Sequence, residues 1–404
     1  MEYLFLVLVL LGLIYHYDYR DHLTGRKVWY FGIMIYMILL AGLRYRLGND
    51  TVAYSMSYND YPDIFNYWDY DFTTEKFGRG YLLVNAIART ISDNFVAMQM
   101  ILAIFVNTVI FRFFYKNTNK IFTAAFLYFL FSFFGLNMEV LREACAVSMF
   151  LIGWEFFWRH KWVKYYICIV IGILFHPSVM FTLILPLFTM KFFHKFFTVS
   201  WLSFGIAVGL FFVGFILTSK FFDIIRLIGI ATLDSYADSY EYSSFAEGKN
   251  FNFVGSAVFM LRNLLYPFAI GWLIAKKKII NKKMEDETYA RSLMVMFIMY
   301  IYISSLSISL VILYRFNSYL SLFFILTFSE ALFHKLKFFR KVYCLSYSLW
   351  FVLIFPMLFL QVRGLFEPVG RANEPFIIRV YPYSNVINPE LNDRREALYL
   401  FNAK

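Results

Sequence analysis

The chain has 404 residues, of which 60% are hydrophobic, 22% aromatic and only 16% charged, with a mean hydropathy of +0.59. That composition excludes a water-soluble domain of ordinary make-up, and it excludes disorder. The formal charge of +11 sits in short clusters between apolar runs and builds no single basic face, so it argues for membrane topology and against a nucleic-acid partner.

In chain order, apolar runs of membrane-spanning scale predict about twelve helices, at 2–15, 28–43, 95–114, 121–136, 138–158, 163–175, 178–190, 197–218, 253–275, 290–310, 315–333 and 342–361. The expected fold is therefore all-α, a single polytopic integral membrane domain over 1–404. The first run lacks a preceding basic segment and reads as a retained helix, not a cleaved signal. Cys145, Cys168 and Cys344 fall inside apolar runs, with neither metal spacing nor a disulfide framework, and read as buried packing residues. No phosphate-binding Gly-rich loop, cytoplasmic Asp-x-Asp or His/Cys ligand spacing occurs, so no cofactor or metal is expected.

Short loops that carry excess Lys and Arg face the cytoplasm. With both termini external, such loops carry Arg20, Arg26 and Lys27; Arg112, Lys116 and Lys120; Arg159, Lys161 and Lys164; Lys191 and Lys195; and the clusters at 276–283 and 335–341. Together these hold more than half of the 38 basic residues. The long segments 44–94, 220–252 and 362–404 then face outward, and function is expected there because the cytoplasmic connections are too short to build a site. Within the first, 80–92 has the pattern of an amphipathic helix along the interface, with Tyr81, Leu82, Val84, Ile87 and Ile91 apolar.

The polar residues at that rim are costly enough near a membrane to need a role. Arg44 and Arg46 follow the second helix in LRYRLGNDTVAY, where Gly48 permits a turn that folds Asp50 back toward Arg44 and Tyr54 follows. Glu139 and Arg142 are spaced i, i+3 near the start of the fifth helix, so a helical ion pair is one reading. Pro177 fits a first helical turn and holds His176 out of helical geometry, which predicts a broken helix or hairpin at Phe175-His176-Pro177. Arg315 opens RFNSYL, and Arg79 and Arg262 add two more cations. Guanidinium forks match phosphate oxygens and stay protonated. Several of them beside apolar surface suit a lipid-linked pyrophosphate, whose leaving group gains charge as a glycosidic bond breaks.

These same residues carry a resemblance. GLRYRLGNDTVAY (42–54), KFGRGYLLVN (76–85), LREACAV (141–147), FHPS (175–178), YRFNSYL (314–320) and YPYSNVI (381–387), which includes Tyr383, resemble in order the motifs of the EpsG family of bacterial polysaccharide polymerases, related in role to Wzy-type O-antigen polymerases. Glu143 stands where that family commonly has Gln, and the acid before the Gly-Tyr stretch is displaced to Glu75.

The resemblance implies metal-independent glycosyl transfer between undecaprenyl-pyrophosphate-linked oligosaccharides, donor and acceptor, at the outer face of the bacterial cytoplasmic membrane. A chain-length regulator is a possible partner. In that picture His176, Asp50 and Arg142 are catalytic, with His176 the preferred base because its unperturbed pKa suits the task. Arg44, Arg79, Arg262, Arg315, Tyr54, Glu139 and Tyr383 bind substrate, and Tyr61, Tyr67, Trp68 and Tyr70 stack on sugars or belong to the interfacial belt. The alternatives are a lipid-linked glycan flippase or exporter, which would need polar groups near the midplane, a glycan ligase of the same chemistry, and a purely structural membrane subunit.

Overall fold

The computed structural model describes residues 1–72, 77–217, 253–277, 286–308, 313–332, 358–360, 362–366, 368–369 and 374–402. The chain packs as two compact units, one of 1–183 with 364–404 and one of 184–363.

The first unit contains α1 (Glu2–Leu13), α2 (Arg26–Gly42), α3 (Asn49–Ser57), α4 (Arg79–Ile91), α5 (Val96–Asn117), α6 (Ile121–Tyr128), α7 (Leu141–Phe157) and α8 (Trp162–Ile173). A 3-10 helix, Pro177–Thr189, runs over the boundary into the second unit. That unit contains α9 (Trp201–Leu217), α10 (Phe253–Met260), α11 (Tyr266–Lys277), α12 (Glu287–Leu306) and α13 (Tyr314–Leu332), and the tail ends in α14 (Asp393–Asn402) in the first. The described residues are thus mostly helical. The expected all-α class is qualified by one small antiparallel pairing of Pro368–Val369 with Glu374–Pro375.

Among the described residues four helical segments are long and apolar enough to cross a membrane, Glu2–Tyr19, Val96–Asn117, Phe253–Trp272 and Glu287–Leu306, and four apolar helices are shorter. The first eleven apolar runs each coincide with helix. The twelfth, 342–361, lies almost wholly outside the described residues, as do the 220–252 loop and Cys344. Cys145 and Cys168 are buried free thiols.

Local chemistry sets the helix ends. Asp286 caps α12, its carboxylate accepting from the Thr288 and Tyr289 amides at 2.9 and 3.2 Å. Gly25, at φ +74°, supplies the left-handed turn before α2. α6 is capped from a distance: buried Asp18 accepts from both the amide and the hydroxyl of Thr123 at 2.7 Å.

Between α6 and α7 the helix widens into π turns, Phe129–Phe133 and Gly135–Glu139. A buried network accompanies them: Asn107 Nδ2 donates to Asn137 Oδ1 at 2.7 Å, Asn137 Nδ2 donates to the Tyr128 hydroxyl at 2.7 Å, and that hydroxyl donates to Asn107 Oδ1 at 3.2 Å. Each side chain offsets the others' desolvation, which is how polar groups survive in an apolar bundle.

The first unit has two chemically distinct ends. At one, Lys120 pairs with Asp21 at 2.8 Å, Arg26 reaches Asp18 and the Asn119 carbonyl, and Lys116 and Arg159 converge on Glu155. At the other, the Tyr36 hydroxyl donates to the Glu2 carbonyl at 3.2 Å, which sets the start of α1 beside α2. There the tail folds back on the segment after α2: Tyr45 N donates to Ser384 O, Val386 N to Leu43 O, and Gly48 N to Arg379 O, at 2.9 to 3.0 Å. The alternation of basic and long loops thus sorts to opposite ends of this unit.

Candidate functional site

The site grows from the corner between α2 and α3. Gly48 sits at φ +91°, and a Cβ there would collide with the Met138 carbonyl, so only glycine lets the chain turn this close to the end of the π segment. Arg44 fills the corner and is 1% exposed. Its Nε donates to the Leu47 carbonyl at 3.3 Å, its Nη1 to the Ala41 carbonyl, and its Nη2 to Thr51 Oγ1 at 3.2 Å. Thr51 in turn donates to the Met138 carbonyl at 3.0 Å. Burial pushes the Arg44 pKa down to about 10, with Tyr383 and Tyr3 opposing, so the group keeps its charge at neutral pH. The Asp50 side chain lies outside the described residues.

Arg142, the second residue of α7, projects to the next turn of α3. Its Nε donates to the Tyr54 hydroxyl at 3.0 Å, and its guanidinium carbon lies 4.4 Å from the centre of the Phe77 ring and 5.8 Å from that of Tyr54. Tyr81 packs edge-on to Phe77 and at a tilt to Tyr54, with centroids 5.6 and 5.4 Å apart. Burial raises the Tyr81 pKa well above its ordinary value, so this ring stays neutral. The i, i+3 pairing of Glu139 with Arg142 gives way to longer-range partners. Glu139 ends a π turn, out of α-helical register with α7, and meets Arg379 of the tail at 3.4 Å.

The corner that leads into His176 packs against the segment 78–80. Gly78 and Gly80 pack on the corner after α8, where the Gly80 amide donates to the Leu174 carbonyl at 2.9 Å and a Cβ on Gly78 would strike the same oxygen. The Arg142 cation and the His176 corner therefore flank the two-residue segment Phe77-Gly78. The expected break is present, with α8 ending at Ile173 and the chain resuming at Pro177 as 3-10 helix.

His176 is buried, and its Nδ1 accepts from the Ser178 amide at 3.2 Å and lies 2.6 Å from Ser178 Oγ. A backbone N–H can only donate, so Nδ1 is the accepting nitrogen in this contact. A general-base role, as expected from the sequence, would use one of the ring nitrogens, and Nδ1 is the one that faces Ser178.

The other sequence candidates are spread out. Arg79 is exposed at the start of α4, its guanidinium carbon 5.4 Å from the Phe72 ring centre. Tyr383 is a buttress, its hydroxyl donating to the Leu40 carbonyl at 3.1 Å and its ring edge-on to Tyr3. Arg262, in a π turn, and Arg315, at the start of α13, both belong to the second unit. Tyr61 and Tyr67 are buried while Trp68 is exposed.

Sequence reasoning missed Asn85, the last residue of the KFGRGYLLVN motif and one turn after Tyr81. It is buried, and neither amide atom has a hydrogen-bond partner among the described residues. Its burial in an apolar-patterned helix was the available signal. Among the described residues no cluster of His, Cys, Asp and Glu is arranged to hold a metal ion.

The EpsG family model matches residues 3–384. Neither the curated proteins nor the solved structures contain a significant match. The family match takes in the Arg44 corner, the Arg142 aromatic box, the His176 corner and most of the tail. This chain therefore belongs to the EpsG family, and membership suggests a polysaccharide polymerase-type function.

Proposed function

We propose that the protein is a polysaccharide polymerase that transfers an undecaprenyl-pyrophosphate-linked glycan to another lipid-linked repeat unit at the outer face of the bacterial cytoplasmic membrane. The observation that carries this is the placement of Arg142. It is a guanidinium held by one hydroxyl and the face of the Phe77 ring, at the end of the unit remote from the basic clusters. Such a fixed cation suits the charge that develops on a leaving pyrophosphate.

In the reaction the bond between the sugar C1 and the phosphate oxygen breaks, its electron pair leaving with the pyrophosphate, while the acceptor hydroxyl oxygen bonds to C1. Arg142 and the Nε2–H of His176 stabilise the leaving group. The hydroxyl proton passes to a carboxylate, for which Asp50, four positions before Tyr54, is the sequence's candidate. Arg44 braces the start of α3 from behind.

The test is the size distribution of lipid-linked glycan in cells lacking the protein and in cells carrying Arg142→Ala. Outward-facing single repeat units in both are expected. Polymer of wild-type length in the Arg142→Ala strain overturns the assignment, and repeat units trapped on the cytoplasmic side indicate a flippase. His176→Gln, which keeps an N–H donor at similar reach, should retain more polymer than His176→Ala. Equal loss in the two would argue for a base.

A further inference from the structure

α4 has two faces, and only one belongs to the site. Tyr81, Leu82, Asn85 and Ala88 point inward, whereas Leu83, Ile87 and Ile91 form an outward stripe at four-residue spacing. Beside that stripe runs the loop between α3 and α4, stapled to the helix at several points. The Ile64 amide donates to Thr90 Oγ1 at 3.0 Å, Arg89 Nη1 to Asn59 Oδ1 at 2.8 Å, and the Tyr67 hydroxyl to the Arg79 carbonyl at 2.8 Å.

At 100° per residue, Thr90, Arg79 and Ala86 lie about 20, 40 and 60° to one side of Leu83, with Ile87 and Ile91 on the other. Loop and stripe are therefore contiguous. Asp63 stiffens the loop tip, its Oδ1 accepting from the Phe65 and Asn66 amides at 3.0 Å. Two large apolar side chains are nonetheless left outside, Phe65 at 79% exposed and Trp68 at 81%, with Ile91 at 69%. A constrained loop that leaves such groups out is presenting them, because collapse onto its own core was available.

We propose that Phe65, Trp68 and the Leu83–Ile87–Ile91 stripe form a wedge that dips into the membrane interface. The covering surface is lipid because α4 ends at Ile91 and α5, a 22-residue apolar helix able to cross a bilayer, begins at Val96, so the stripe reaches the boundary where that helix enters. Trp and Phe are the side chains that favour this level. The wedge lies on the back of the helix whose inner face packs around Arg142, so it fixes the height of that site relative to the headgroups. The inference is independent of the reaction assigned above.

The test uses full-length protein in phosphatidylcholine–phosphatidylglycerol nanodiscs, spin-labelled in turn at Phe65→Cys, Trp68→Cys, Ile91→Cys and the polar control Asp60→Cys, with unsubstituted protein as the blank for the buried thiols. Labels at 65, 68 and 91 should collide more with oxygen than with a water-soluble nickel chelate, and the ratio should invert at 60. Nickel accessibility at 65 and 68 equal to that at 60 overturns the proposal. So does protection from both quenchers, which would mean protein covers the wedge.

Discussion

Replacing Tyr54 by Phe isolates what orients Arg142. The ring remains, with its contacts to Phe77 and Tyr81, so no cavity opens, while the 3.0 Å hydrogen bond to Nε is lost. A hydrogen bond to a charged group contributes about 1.5 to 3 kcal/mol, or roughly 10- to 150-fold in rate if it is needed in the transition state. The Phe77 contact, at 4.4 Å, adds about 0.5 to 2 kcal/mol as a cation–π interaction, and Phe77→Leu removes it. Both groups hold one guanidinium, so the double variant should lose less than the product of the single losses. The assay is the rate of polymer formation per folded molecule in a deletion strain complemented with each variant, with protein level measured in parallel. Wild-type polymerisation by Tyr54→Phe at normal protein level would refute the idea that Arg142 works through this orientation.

Four further outcomes are expected. Gly48→Ala places a Cβ against the Met138 carbonyl at a positive φ and should cost several kcal/mol, about the scale of a severe single substitution, seen as lost protein in membranes or a lower Tm in detergent. Asn137→Leu breaks the network with Asn107 and Tyr128 and should lower stability by about 0.6 to 1.7 kcal/mol, measurable by thermal unfolding. Arg44 is a base whose folded pKa is depressed to about 10, so its charge is complete at neutral pH and lost as pH rises through that value. Activity should therefore show no Arg44-dependent step between pH 6 and 8 and should fall near 10, which a pH–rate profile checks. Arg395→Met leaves the Ile378 and Pro382 carbonyls, now bonded at 2.9 and 2.6 Å, without their donor, and should make the tail protease-sensitive.

What the sequence revealed depended on the range of the interaction. The break at His176-Pro177 and the turn at Gly48 were legible, because proline and glycine state their backbone requirements locally. The helices were legible from apolar runs, though not their π and 3-10 forms, which depend on neighbours such as the Asn107–Asn137 pair. The partner of Arg142 was hidden. Helical spacing pointed to Glu139, but the wide turn breaks that register and the real partner is Tyr54, 88 residues earlier. Asp18, unremarked in the sequence, is a buried cap for another helix. The amphipathic pattern of α4 was visible, but its apolar residues divide between two faces: Tyr81 and Leu82 are buried while Ile87 and Ile91 are exposed, and periodicity alone cannot say which stripe meets protein.

The tail's return to the Arg44 corner bears on when the protein becomes competent. Arg46 pairs with Glu396 across 350 positions, and the Tyr399 hydroxyl donates to the Arg46 carbonyl at 3.1 Å. A ribosome that has delivered α1 to α8 into the membrane has delivered Arg142 and His176, but nothing yet holds the segment between α2 and α3 from its outer side. If the proposed reaction holds, it waits for the tail to dock, and a chain stalled during synthesis would occupy membrane without consuming substrate. Any tag fused beyond residue 402 acts on that latch, not on a passive end.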